Sequence, residues 1–252
     1  MTEKQRVEYP DKQEASYSIT DGVAQKLGYQ NSQSLVEQYN GFGSFNLKSF
    51  VDFNDSFFEE NDEVTEFAQN YRDELGRVTG GIALLSKKTI SKEGTSEGSN
   101  QYPKTIFDTG HILGHMLVGG ETFDFNSSKK KKENIFPQTR WSNGGDGKFK
   151  SFKMNSDKGN SQVTYERRIW NKINKKGNEE LKIYYQVDLV YEGDEEIPRG
   201  VHLQAISNKP IDLGKGREFI NVFIPNVRYK TYLDIDYSKI DNNKLEFDPR
   251  LR

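Results

Sequence analysis

Three stretches in the second half of the chain constrain its fold most: Ile183 to Tyr191, Gly200 to Ser207 and Glu218 to Ile224. Each carries strand-like alternation or apolar density, and turns rich in Gly, Asp and Pro join them. Runs linked this way pair as neighbours in an antiparallel sheet. The hydrophobic fraction of 33% is low, but 16 Phe, 13 Tyr and 2 Trp supply bulky apolar surface. That favours a strand-rich fold with aromatic packing over disorder. From Val163 a helix is expected, because Tyr165, Ile169 and Ile173 repeat at i and i+4 until Gly177 stops it. The class is α+β, with a central, mainly antiparallel sheet flanked by helices.

The 252 residues read as one domain, 1–252, behind a loose polar arm at 1–16. Asn31 and Ser32 can cap a short helix through Ser34 to Tyr39, with Gly41 as its stop. Gly41 to Asn54 reads as strand or packed loop, Gly80 to Ser86 as a short buried strand, and Ser91 to Asn100 as a surface loop. Thr105-Ile106-Phe107 leads a strand into Asp108. Asn143 to Gln162, with four glycines among lysines, reads as a flexible insertion, and Tyr229 to Asp236 with Leu245 to Asp248 as a late hairpin-like pair. No cysteine is present, which removes disulfides, zinc-thiolate sites, thiol nucleophiles and any cysteine-linked partner. No apolar run is long enough for a membrane helix, and Met1-Thr2-Glu3-Lys4 does not begin a signal sequence. The expectation is an intracellular protein or a mature form whose leader has been removed.

A net charge of -2 hides strong segregation. Between Lys129 and Lys176, 14 Lys and Arg face only Glu133, Asp146, Asp157 and Glu166, a net +10 that leaves -12 for the rest. In residues 1–70, five basic residues face thirteen acidic ones. The basic stretch suits a phosphate-chain substrate, whereas the N-terminal part would repel one.

That stretch overlaps residues able to support phosphodiester hydrolysis. The segments are Asp108-Thr109-Gly110-His111, Asn134-Ile135-Phe136-Pro137-Gln138, Trp141-Ser142-Asn143 and Tyr165-Glu166-Arg167-Arg168. An imidazole, largely neutral at pH 7, can take a proton from water if no metal occupies it, which fits His111. Magnesium takes oxygen ligands and keeps most of its waters, so the Asn143 carbonyl oxygen could hold it while Glu166 orients a metal-bound water. Asp108 and Asn134 would fix the loops that carry these groups. Taken singly, each residue is as well explained by a turn, by packing or by the dipole of a helix first turn.

Taken together, the run from Asp108 to Gly120, the run from Asn134 to Asn143 and Tyr165-Glu166-Arg167-Arg168 resemble the DNA/RNA non-specific endonucleases of the ββα-metal, or His-Me finger, class, and most of all the streptococcal exported nucleases of the DNA-entry and streptodornase types. The likeness runs from Leu75 to Tyr237 and includes Val222 to Val227. It implies a ββα-metal motif with His111 as general base, Asn143 as direct magnesium ligand, Glu166 holding a metal water and Asn134 supporting the site. It also implies one divalent cation (magnesium, with manganese as substitute), sequence-independent cleavage of DNA with RNA left open, 5'-phosphate and 3'-hydroxyl products, and a secreted or cell-surface location. Substrate phosphates would meet Lys129, Lys130, Arg140, Arg167 and Arg168.

Two features depart from the family pattern. Thr109 stands where the family most often has arginine, and a threonine cannot replace that charge or its fork of donors. The Gly/Lys-rich span between Asn143 and Glu166 is long. Two other readings stay open: a nucleic-acid binder on a decayed nuclease scaffold, and a zinc site from His111 and His115 with Glu121 or Asp124 and the distant His202.

Overall fold

The computed structural model describes residues 9–48, 65–92, 99–144, 160–214, 216–228 and 234–244. Its centre is a six-stranded sheet of β1 (Phe45–Asn46), β2 (Ala68–Arg72), β3 (Val78–Leu85), β6 (Ile183–Val190), β7 (Gly200–Ser207) and β8 (Phe219–Pro225), in the order β1-β8-β7-β6-β3-β2. Every pairing in it is antiparallel. Two further strands, β4 (Phe107–His111) and β5 (Ile135–Thr139), form a separate antiparallel pair that sets His111 opposite Ile135.

Alternation places two layers on this sheet. Tyr185, Val187, Leu189, Val201, Leu203 and Ala205 face the main core, where they meet Ile112, Leu113, Phe136 and Trp141 from around the β4–β5 pair. Tyr165, Ile169 and Ile173 of helix α6 (Gln162–Asn174) pack into the same core. On the other side, Val190 and Phe223 are covered by α1 (Lys12–Ser16), α2 (Asp21–Lys26) and α3 (Ser32–Val36) through Ala15, Val23, Ala24, Leu27 and Leu35. Helices thus cover both faces of an antiparallel sheet, the α+β arrangement expected.

Several expectations need correction. Residues 12–16 are helical, not part of a loose arm, because Asp11 and Glu14 form a reciprocal capping box: Glu14 N donates to Asp11 Oδ1 at 2.9 Å and Asp11 N to Glu14 Oε2 at 3.0 Å. The helix expected from Val163 starts at Gln162, so Glu166 lies in its second turn, beyond the strongest reach of the helix dipole. Residues 234–236 are not in a strand, and a single 3₁₀ turn follows at Ile240–Asn242. Residues 1–8, 49–64, 93–98, 145–159, 215, 229–233 and 245–252 lie outside the described residues, as do most of the expected insertion and much of the late hairpin.

Candidate active site

The sequence Asp-Thr-Gly-His runs along β4, where successive side chains alternate between the faces of the β4–β5 pair. His111 and Thr109 share one face, and Asp108 and Gly110 share the other. Gly110 must lack a side chain, since a Cβ there would lie 2.3 Å from Gln138 Oε1 on β5. The buried Thr109 hydroxyl donates to Asn100 Oδ1 at 2.9 Å and accepts from Gln101 N at 2.7 Å. Its role here is to tie down the 99–102 loop. Asp108 does not brace His111: it points to the opposite face, where Arg140 Nη2 donates to its Oδ1 at 3.2 Å.

His111 ends β4 with its ring half-buried. Desolvation, then Lys129, then His115 depress its pKa to about 4, against a smaller upward pull from a hydrogen bond to the Ser127 backbone. The imidazole is therefore neutral, and able to accept a proton, across the physiological range. His115 opens the short helix α4 (His115–Val118), and its Nδ1 lies 2.8 Å from the Ser127 hydroxyl. Ser127 thus contacts both imidazoles.

Behind His111 the chain turns through Ile112, Leu113 and Gly114, and this turn is clamped from two sides. Asn134 is fully buried: its Oδ1 accepts from Leu113 N and Asn70 Nδ2, and its Nδ2 donates to Leu113 O, each at 3.0 Å. From α6, Gln162 Nε2 donates to His111 O at 2.8 Å, to Ile112 O at 3.2 Å and to Glu166 Oε1 at 3.1 Å. Gln138 Nε2 donates in turn to Gln162 Oε1 at 3.0 Å and to Ser142 Oγ at 3.1 Å. A chain of amides therefore links Ser142, the neighbour of Asn143, to the His111 backbone and to Glu166. The sequence reading missed Gln138 and Gln162, although Gln138 closes the Asn-Ile-Phe-Pro-Gln motif and Gln162 stands at i-4 from Glu166.

Glu166 is 3% exposed. Burial pushes its pKa up to about 7, opposed by hydrogen bonds from Gln162, the Tyr185 hydroxyl and the Gly114 N–H. A Cβ on Gly114 would lie 2.4 Å from Glu166 Oε2. Gly114→Ala is expected to displace the carboxylate and destabilise the fold by about 1–3 kcal/mol. Thermal unfolding checks this, and an unchanged Tm would show that the turn has slack.

Asn143 lies half-buried in helix α5 (Arg140–Gly144), directly after β5. The donor set of Asn143 amide and Glu166 carboxylate is all oxygen, which fits a hard cation that keeps most of its waters. Glu166 already accepts from three protein donors, which suits a contact through water better than direct ligation. The predicted phosphate-binding residues are scattered. Lys129 lies close enough to His111 to depress its pKa, and Lys130 is exposed. Arg140 is exposed and pairs with Asp108. Arg167 is 9% exposed, so burial removes it from the solvent-facing cations expected to meet phosphates. Arg168 sits in a separate cleft with Arg217.

The zinc arrangement does not assemble, since no three His, Cys, Asp or Glu among the described residues converge. His202 lies on the other face of the sheet, its Nε2 2.8 Å from Asn221 Oδ1.

No family model matches the chain. Its fold is that of a group of nucleases. NucA from Streptococcus agalactiae with magnesium ion bound is similar with a TM-score of 0.59 at 20% identity, over 78% of this chain and 84% of that one. The same protein with no metal bound gives 0.58 over the same shares. An extracellular endonuclease gives 0.51 at 18% identity, over 71% of this chain and 86% of that one.

Proposed function

We propose that the chain is one domain that acts as a metal-dependent, sequence-independent endonuclease of the ββα-metal class, hydrolysing DNA, with RNA left open as a second substrate. The observation that carries this reading is the neutral His111 imidazole at a strand end whose backbone is joined through Gln162 to the buried Glu166 carboxylate. A shared fold with NucA nuclease supports it.

In this reading the Asn143 amide oxygen would hold a magnesium ion, or manganese in its place, and the Glu166 carboxylate would orient the ion's hydration shell. Bound there, the cation supplies charge to meet the negative charge that builds on the phosphoryl oxygens. His111 takes a proton from the attacking water, with its other ring nitrogen steadied by the Ser127 backbone. In-line attack of that water on phosphorus breaks the P–O3' bond, and the departing oxygen takes a proton from solvent, leaving a 5'-phosphate and a 3'-hydroxyl. Asn134 and Gln162 hold the His111–Gly114 turn in register with Glu166. Lys129, Lys130 and Arg140 supply positive charge for the substrate backbone, with Lys129 nearest the imidazole. Export to the medium or cell surface fits the extracellular description of the endonuclease with a similar fold. Among the described residues no helix is long and apolar enough to cross a membrane.

Plasmid incubated with the protein and magnesium, and in parallel with EDTA, tests the reading. Cleavage is expected only with the metal, and Asn143→Ala shifts the response to higher magnesium. Retarded but intact plasmid in both tubes would instead make the chain a nucleic-acid binder without catalysis.

A further inference from the structure

A cleft on another side of α6 takes no part in this chemistry. It encloses about 150 Å³ and is lined by Asn46, Asn160, Tyr165, Arg168, Gly214 and Arg217 among others. Arg168 is held in place: its guanidinium lies 4.9 Å from the centre of the Tyr165 ring and donates to Asn160 Oδ1 at 3.0 Å. The Gly214 backbone packs against its stem, where even a Cβ would come within 3.2 Å of Arg168 Cδ. Arg217 is presented by a turn in which Leu213 N donates to Arg217 O at 2.8 Å. Asp212 braces that turn by accepting from Gly214 N at 2.7 Å and Gly216 N at 3.0 Å.

Elsewhere on the surface, Arg72, Arg77, Arg140 and Arg199 each pair with a carboxylate. Neither Arg168 nor Arg217 has an ion pair with a carboxylate among the described residues, and Asp212 Oδ1 accepts from the Gly214 and Gly216 N–H groups of the turn. Both guanidiniums act on the same buried phenol: burial raises the pKa of Tyr165, while a hydrogen bond with Ser44, then Arg168, a hydrogen bond with Asn40 and, least, Arg217 pull it back. Two fork-shaped donors lining one cleft, neither in an ion pair among the described residues, match a phosphate group.

We propose that the Arg168–Arg217 cleft is a phosphate subsite that grips the nucleic-acid backbone away from the bond being cut. The inference rests on the nuclease reading for its polymer. Arg168 stands two residues after Glu166, about 200° around α6 at 3.6 residues per turn, so the cleft opens away from the Glu166 carboxylate and the phosphate held here is not the scissile one.

Binding of a labelled DNA duplex, followed by anisotropy in EDTA over a range of salt concentrations, tests the subsite without any cleavage. Arg217→Ala and Arg168→Gln are each expected to reduce the log–log salt slope by about 1 and to weaken binding about tenfold at 0.1 M salt, with the double variant losing about 2. Arg168→Gln keeps an amide donor for Asn160, and the exposed Arg217 can be removed without touching the core. Lys92→Ala removes the same charge from a residue paired with Glu121 and should leave the slope unchanged. Equal losses in Lys92→Ala and Arg217→Ala, or an unchanged slope in Arg217→Ala, would overturn the subsite. If deoxyadenosine 5'-monophosphate lost affinity on Arg217→Ala while the duplex did not, the cleft would take free phosphate monoesters, which also overturns the strand assignment. Cleavage in magnesium with an unaltered slope removes the subsite alone, whereas an altered slope without cleavage by the wild type removes the nuclease reading alone.

Discussion

His111→Ala lowers plasmid cleavage about 10²- to 10⁴-fold, the range typical for loss of a general base, while DNA affinity in EDTA and thermal stability stay near wild type. The ring is half-buried at the end of β4, and its environment disfavours the imidazolium. Removing it costs a proton acceptor and little packing. Because its pKa is lowered to about 4, His111 stays in its basic form at every pH above that value. An acid limb in the wild-type rate near neutrality therefore cannot belong to this histidine. Cleavage by His111→Ala at the wild-type rate would remove the mechanism.

Glu166→Gln is the second large effect: a loss of about 10- to 100-fold, as for groups that orient a metal's immediate partners, together with a change in pH dependence. The folded-state pKa of Glu166 is raised from 4.5 to about 7, so the native state binds the carboxyl proton more tightly than the unfolded chain does. Stability in EDTA should therefore decline as pH rises from about 4.5 to about 7, by about 3 kcal/mol for this group. A nearby cation favours the ionised form, so metal binding releases this proton and tightens as pH rises. The rise in Tm on adding magnesium should be small at pH 5, largest at pH 8 and flat in Glu166→Gln. The acid limb of cleavage, near 7 at low magnesium, should move down as magnesium increases. A limb fixed in position at all magnesium concentrations would place Glu166 away from the cation.

What the sequence disclosed follows from how local each signal is. Strands β6, β7 and β8 are central, with one side of each buried against α6 and its neighbours, so their pattern survives in one dimension. Strand β2 is an edge with half-buried residues and shows no such pattern. Strand β5 was obscured by Pro137, which a two-stranded pair accommodates because each strand has an open edge. Helix α1 was legible in principle, since Asp11 and Glu14 carry the spacing of a capping box.

Of the candidate residues, His111, Asn134, Asn143 and Glu166 stand in the sequence as members of the quoted motifs, whereas the pairing of Asp108 with Arg140 across the β4–β5 pair does not show there. Period-2 alternation alone separates Asp108 from His111 by face. The burial of Arg167 and the role of Gln162 were harder to anticipate. Gln162 acts only because β4, β5 and α6 meet at its amide, through contacts 24 to 51 residues apart in sequence.

The most direct test is a crystal structure of the protein grown with magnesium. The expected result is one ion at about 2.1 Å from Asn143 Oδ1, with a coordinated water facing Glu166 and the His111 imidazole beside the ion but not bound to it. An ion ligated by His111, or one that leaves Asn143 and Glu166 untouched, would contradict the account.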